Sequence, residues 1–293
     1  MEILEEVSVL RSRVADWRGD GLRVALVPTM GNLHAGHLTL VREARALADR
    51  TLVSVFINPL QFGPQEDFAA YPRTLARDRK MLVEEGVDAL FAPSEGAVYP
   101  HGVSDQTRVE VPGLSGILCG VSRPGHFVGV ATVVCKLFNM AQPDLAVFGE
   151  KDFQQLMVIR RMTQDLSLPV EIHGVATVRE TDGLAMSSRN AYLDAEERER
   201  APELYRVLVR AGERLEGGME AARAEQLAAA ELGEARLRPE YVSVRRTRDL
   251  APPQAQDREL VILAAARLGR ARLIDNLRVL RDRPGAVLAA AKS

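Results

Sequence analysis

The chain has little that would cross-link it, anchor it or give it a strong charge. It has two cysteines in 293 residues, Cys119 and Cys135. They form no CxxC pair, which argues against a cysteine-held metal and for unpaired thiols in a reducing, cytoplasmic compartment. The formal net charge is only -2; that speaks against a broad nucleic-acid-binding surface but leaves room for a local phosphate pocket. No apolar run approaches the roughly 20 residues needed to span a bilayer, so no membrane association is expected. The first residues, MEILEEVSVLRSRVADW, lack a basic segment leading into an apolar one, and no secretory leader is expected there. What remains is an ordinary globular composition, 46% hydrophobic and 27% charged, long enough for two domains.

Short branched-apolar runs alternate with helical patterns. Strands are expected at Leu22–Val27, Thr51–Ile57, Ala89–Ala92, Leu145–Phe148 and Val170–Val178, with Pro28 ending the first. Helices are expected at Leu38–Ala48, Leu75–Glu85, Val128–Ala141 and Phe153–Leu166. This alternation predicts βαβ units and an α/β fold with a parallel sheet covered by helices, whose ligands bind beyond the carboxyl ends of the strands. Near residue 175 the composition changes. A charged helical stretch, an Ala/Glu-rich one and two strand-like runs (Tyr241–Arg245 and Leu260–Leu268) follow, with Leu273–Leu277 after them. Two domains are predicted, residues 1–175 and a smaller α+β domain over 176–293. The Glu/Arg run at 196–200 reads as a solvated helix face.

Four segments carry chemistry. In PTMGNLHAGH, His34 and His37 sit where the first strand gives way to a helix, at the end whose free N–H groups and dipole favour an anion. Three residues apart, they can grip one group together. Either histidine alone could simply cap or pack. A zinc-binding pair on a helix more typically has a spacing of four with a glutamate between, and neither is present. In INPLQF, Asn58 and Gln61 follow the second strand directly and offer amide donors and acceptors, although a surface loop of similar composition would look alike. In VFGEKDFQQ, Lys151 opens a helix with Asp152 beside it, a phosphate cradle or an ordinary solvated turn, and Gln155 lies one turn on. In VRETDGLAMSSRNAYL, Asp182-Gly183 marks a turn, and Ser187, Ser188 and Arg189 then suit phosphate oxygens. Ser188 could equally cap the next helix.

Together these segments, with YPRT and RPGHFVGVATVVCKLFN between them, resemble the pantoate–beta-alanine ligase (pantothenate synthetase) family of the HxGH nucleotidyltransferase superfamily. The resemblance runs over nearly the whole chain and is densest before residue 195. It implies a Rossmann-like domain with a C-terminal lid, a cytoplasmic homodimer, and a two-step ligation on the way to coenzyme A. Pantoate and ATP give pantoyl adenylate and diphosphate, and beta-alanine then gives pantothenate and AMP.

The resemblance also implies roles. His34 and His37 would bind the ATP phosphates, with His37 as proton donor. Met30, Gly31, Asn32, Leu33, Ala35 and Gly36 would line the ATP side of the same turn. Phe148, Gly149, Glu150, Lys151, Asp152 and Val178 would enclose the adenosine. Lys151, Met186, Ser187, Ser188 and Arg189 would meet the phosphates, four of them neutralising the departing diphosphate. Gln61 would contact pantoate and beta-alanine, Gln155 would hold pantoate, and Asn58 would join the substrate side. Mg2+ is expected with ATP.

Two departures stand out. After YPRT the chain reads LARDRK, with Asp78 alone between arginines, so magnesium is expected to ride chiefly on the phosphates. The second signature is MSSRN, so Arg189 stands where a lysine-rich loop is found elsewhere in the superfamily. A nucleotidyltransferase acting on another acid, or a nucleotide sensor without catalysis, are the competing readings.

Overall fold

The computed structural model describes residues 1–64 and 66–281, so residues 282–293 of the expected second domain lie outside the described residues. The chain divides into two compact units. The first comprises Met1–Glu150 and Gln154–Val178; the second comprises Lys151–Phe153 and the chain from Arg179 onward.

The first unit is a parallel sheet wrapped by helices. In chain order it runs β1 (Glu2–Leu4), α1 (Val7–Gly19), β2 (Val24–Thr29), α2 (Ala35–Leu47), β3 (Arg50–Val55), α3 (Leu75–Glu84) and β4 (Ala89–Phe91). Two short helices, α4 (Glu95–Val98) and α5 (Cys119–Ser122), precede α6 (His126–Ala141), β5 (Leu145–Gly149), α7 (Phe153–Asp165) and β6 (Glu171–Val175). The strand order is β1-β4-β3-β2-β5-β6, every registered pair being parallel. Ala25, Val27, Val53, Leu90, Leu145 and Val147 are buried in one cluster with Val41 and Ala44 of α2, as a sheet covered on both faces requires.

Several details differ from the sequence reading: the strand expected over Val170–Val178 spans only Glu171–Val175, and the helix expected from Leu38 begins at Ala35. β2 does not stop at Pro28 but continues to Thr29. Its registered pairs with β5 are Ala25 and Leu26, so at Pro28 the strand is no longer paired on that side and a missing N–H is tolerated. The added edge strand β1 is only three residues long, too short to show a periodicity.

The second unit buries an amphipathic pair of helices on an antiparallel sheet. It contains α8 (Ala195–Arg200), α9 (Glu203–Glu216) and α10 (Ala221–Glu234), followed by β7 (Arg238–Arg246), β8 (Glu259–Leu268) and β9 (Ala271–Leu280) in the order β7-β8-β9. On α9 the residues Leu204, Val207, Leu208, Ala211 and Leu215 form a single stripe and join Leu260, Ile262 and Ala264 of β8 in one core. Asp194 starts α8 with a reciprocal cap to Glu197. Every residue of the 196–200 run is exposed or half-buried.

The sheet of the first unit fixes where a site can form. From β2 the chain winds outward through β3 to β4, and with β5 and β6 it fills the other side. The reversal falls between β2 and β5, and a crevice opens at the carboxyl ends of such a pair. Met30–His37 and Gly149 lie at those ends.

Candidate active site

Thr29 closes β2 with its hydroxyl donating to the Ser54 carbonyl at 2.9 Å and accepting from the Gly31 N–H at 3.1 Å. The backbone then passes through two left-handed residues, Gly31 at φ 78° and Asn32 at φ 51°. A Cβ on Gly31 would lie 3.0 Å from both Asp78 Oδ2 and Val55 Cγ1, so both conformation and space call for glycine.

The turn is built on Asp78. This α3 carboxylate, wholly buried, accepts from the Asn32 and Leu33 N–H groups at 2.9 Å each and from Thr74 Oγ1 at 3.0 Å. The Asn32 and Leu33 N–H groups are therefore directed at Asp78. Arg77 donates to the Leu33 carbonyl at 3.0 Å.

Helix α2 follows at once, with His34 as its N-cap residue and His37 at its third position. Their ring centroids are 4.1 Å apart. His37 N–H donates to the His34 carbonyl at 2.8 Å, and His34 N–H approaches His37 Nδ1 at 3.4 Å. With Nδ1 accepting, a neutral His37 carries its proton on Nε2.

Gln61 is held beside this turn. Asn58 begins a single 3₁₀ turn, Pro59–Gln61. Its Nδ2 donates to Gln61 Oε1 and to the Gly129 carbonyl, both at 3.1 Å, while its Oδ1 accepts from the Tyr99 hydroxyl at 2.6 Å and the Leu60 N–H at 3.3 Å. The Asn58 amide, 1% exposed, is thus committed to protein partners. Gln61 Nε2 reaches Met30 Sδ at 2.9 Å.

The Gln61 carbonyl is gripped by His126 Nδ1 at 2.8 Å and by Arg123 Nη2 at 3.3 Å. Arg123 in turn forks onto Glu66 at 2.6 and 2.7 Å. Burial alone would raise the Glu66 carboxyl, but hydrogen bonding and charge from Arg123 hold it below the usual range. Burial also pushes the Tyr99 phenol up, with the charge of Glu95 adding to it. Helix α6 comes so close that a Cβ on Gly129 would lie 2.3 Å from the Leu60 carbonyl oxygen and 2.7 Å from the Gln61 nitrogen.

Gln155 is half-buried on α7. The buried amide there is its neighbour Gln154, 4% exposed, which accepts from Cys119 N–H at 3.1 Å and donates to the carbonyls of Leu114 and Ile117 at 2.9 and 2.7 Å. The sequence reading missed Gln154, the Asp78 clamp and the Arg123–Glu66 fork. Each acts through a partner distant in sequence and leaves no local pattern.

The remaining predicted residues lie in or next to the second unit. Gly149 ends β5, and Glu150–Asp152 form a 3₁₀ turn. Lys151 belongs to the second unit, its Nζ 3.7 Å from Asp152 Oδ2. In that unit Lys151, Ser187, Asn190, Ile274 and Asp275 line one small cleft. Ser187 caps the 3₁₀ turn Ser188–Tyr192, accepting from the Arg189 N–H at 3.3 Å. Met186, Ser188, Arg189 and, at the end of the first unit, Val178 are half-buried.

A doubly wound parallel sheet with paired imidazoles at its reversal is the architecture of α/β enzymes that bind ligands beyond the carboxyl ends of their strands. The family model for pantoate-beta-alanine ligase matches residues 2–278. The chain is 56% identical to the pantothenate synthetase of Pseudomonas aeruginosa over 96% of its length and 100% of that protein. It is 59% identical to the one from Thioalkalivibrio sulfidiphilus, over 95% and 98%.

Among solved structures, pantothenate synthetase from Thermus thermophilus superposes with a TM-score of 0.87 at 47% identity, covering 94% of this chain and 99% of that one. A pantoate-beta-alanine ligase from Francisella tularensis, complexed with beta-gamma ATP and beta-alanine, gives 0.80 at 32%, covering 94% and 97%. The chain belongs to the pantoate–beta-alanine ligase family, and it is a ligase.

Proposed function

We propose that the protein joins pantoate to beta-alanine at the expense of ATP, through a pantoyl-adenylate intermediate, in the supply of coenzyme A precursor. The observation that carries this reading is the His34–His37 pair at the start of α2, set beside Gln61 on a turn braced from below by Asp78. The relative bound to ATP and beta-alanine supports the substrate assignment.

In the first step a pantoate carboxylate oxygen attacks the α-phosphorus and the bond to diphosphate breaks. In the second the beta-alanine amine attacks the acyl carbon, loses a proton, and AMP leaves. His37, with its proton on Nε2, donates a hydrogen bond to phosphate oxygens as negative charge builds there, and His34 stands beside it. Met30 and Gly31 shape the ATP side of the turn, with Asn32, Leu33, Ala35 and Gly36 continuing it. Gly149, Glu150, Asp152 and Val178 belong to the adenosine side. Gln61 and Gln155 hold the organic substrates through neutral amides, and Asn58 serves by fixing Gln61. Lys151, Ser187, Ser188 and Arg189, with Met186 beside them, neutralise the departing diphosphate. Holding the reactants in place and out of water supplies the rest of the rate.

A resident metal does not fit these residues. Both oxygens of Asp78 accept backbone N–H groups, and among the described residues no cluster of three His, Cys, Asp or Glu is arranged to hold an ion. Magnesium enters as part of the MgATP substrate. Among the described residues no helix is long and apolar enough to cross a membrane. Cys119 and Cys135 are not joined by a disulfide; a cytoplasmic setting and a homodimer are the expected location and assembly, the latter tested by sedimentation.

ATP–diphosphate exchange tests the chemistry. Exchange that requires pantoate and proceeds without beta-alanine is the expected result. Silence with pantoate, or exchange with a different acid or with CTP, overturns the assignment.

A further inference from the structure

The lysine assigned to the departing diphosphate does not take its position from the strand that precedes it in sequence. Gly149 and Glu150 belong to the first unit, but Lys151–Phe153 belong to the second. Two contacts within that unit hold them. Asn276 of β9 donates its side-chain N–H to the Lys151 carbonyl at 2.9 Å, and the Arg278 guanidinium lies 5.3 Å over the Phe153 ring.

Asn276 is itself immobilised. It is 7% exposed, and its backbone N–H donates to Asp275 Oδ1 at 2.8 Å. Asp275, 4% exposed, takes a fork from Arg179 at 2.6 and 3.0 Å, and Arg179 also reaches the Asn276 carbonyl at 3.4 Å. The Arg179 guanidinium stacks 3.5 Å above Tyr205 and donates to the Gly183 carbonyl at 3.1 Å. One network therefore holds both the Lys151 backbone and the turn that leads into Ser187–Arg189. These are the two cation-bearing segments assigned to the same leaving group.

We infer that Asn276 is a positioning residue for the adenylation step, setting the Lys151 ammonium through a hydrogen bond to its carbonyl, with Arg179 and Asp275 fixing Asn276 in turn. This rests on the ligase reading and on the role it gives Lys151. A side chain acting only through Lys151 matters when Lys151 is present and not when it is gone, whereas one serving the fold matters in both cases.

The test is pantoate-dependent ATP–diphosphate exchange, with kcat and the KM for ATP measured for the parent, Asn276→Ala, Lys151→Ala and the double variant, and with thermal unfolding followed for each. Asn276→Leu serves as a second removal of the donor that keeps the volume. The expected result is a fall in kcat of about 10-fold for either Asn276 variant with the KM for ATP changed by less than about twofold, as for a group displaced by a fraction of an ångström. Lys151→Ala should lower kcat by about 100-fold or more, and adding Asn276→Ala to it should cost less than about twofold further. Equal losses in both backgrounds, a pure KM effect, no loss at all, or failure of both Asn276 variants to fold would overturn the positioning role. A parent enzyme silent with pantoate would instead overturn the functional reading and the role built upon it.

Discussion

The two units use their polar residues differently. At the candidate site of the first, buried polar side chains are spent on fixing backbone, Asp78 on two N–H groups, Gln154 on two carbonyls and an N–H and Asn58 on the Gln61 turn, although ion pairs such as Arg18–Asp144 and Arg123–Glu66 occur in that unit too. In the second, charged side chains pair with each other around a separate apolar core. Arg198 meets Glu180 and Asp182, Arg210 and Arg214 share Glu231, and Arg267 and Arg272 share Glu240. Buried carboxylates and amides that satisfy backbone groups fix a loop in one conformation, and losing one strands a donor at high cost. Exposed ion pairs contribute little each and tolerate change. Fine geometry is thus carried by buried groups of this kind, Asp78, Gln154 and Asn58 in the first unit and Asp275 and Asn276 in the second.

The largest effect that would sharpen this contrast is expected from Gly129→Ala. The added Cβ would meet the Leu60 carbonyl at 2.3 Å and the Gln61 nitrogen at 2.7 Å, both backbone atoms that cannot step aside without moving the turn. Overpacking of this kind costs about 1–3 kcal/mol, and displacing a substrate-holding side chain by about 1 Å can cost about 100-fold in rate. Melting temperature and kcat/KM for pantoate are the readouts. An alanine enzyme with parent activity would show that the Gln61 turn is not set by this approach.

Next in size is Asp78→Asn, which keeps the shape but turns one acceptor into a donor facing a backbone N–H or the Thr74 hydroxyl. An unsatisfied buried donor costs about 1–3 kcal/mol. Amide exchange at Asn32 and Leu33 should accelerate, and the KM for ATP should rise as the histidine turn loosens. Replacing one arginine of a shared pair in the second unit, such as Arg267→Gln, should change neither. If it does, the division drawn between the units fails.

Much of the first unit was legible because its signals are local. The apolar run of β2, the glycine turn and the two histidines announce a strand, a tight turn and a helix start within fifteen residues of sequence, and each lies where that pattern puts it. The three-residue β1 gave no such signal, because an edge strand so short is defined by its partner β4. The Asp78 clamp spans 46 positions to Asn32, and the Asn276 tether spans 125 positions to Lys151. An aspartate between arginines and an asparagine within a strand look ordinary until the fold brings their partners to them. Likewise, the GEKD turn reads as one segment, while its backbone is shared between two units. Which unit holds Lys151 is decided by β9.

The smallest expected effect is the response to acid. In the second unit Asp182 is held below the usual carboxyl range by a hydrogen bond from Arg198. Burial works the other way on Glu231, Glu240 and Asp249, but their arginine partners, with a backbone N–H from Ala251 in the last case, outweigh it and hold all three low. In the first unit Glu66 is held low in the same way, its burial outweighed by Arg123. A carboxyl lowered in the folded state contributes stability that is complete above its unfolded value, about 3.9 for Asp and 4.3 for Glu, and that is lost as pH falls through the lower folded value. Both sets of pairs should therefore begin to weaken as pH drops below about 4. These pairs are only partly shielded from water, so the loss is modest and is reduced in high salt. Hydrogen exchange followed from pH 7 to pH 3 at low and high salt reads each unit separately. Protection unchanged between pH 7 and pH 3 at low salt would show that these lowered carboxyls contribute nothing to stability.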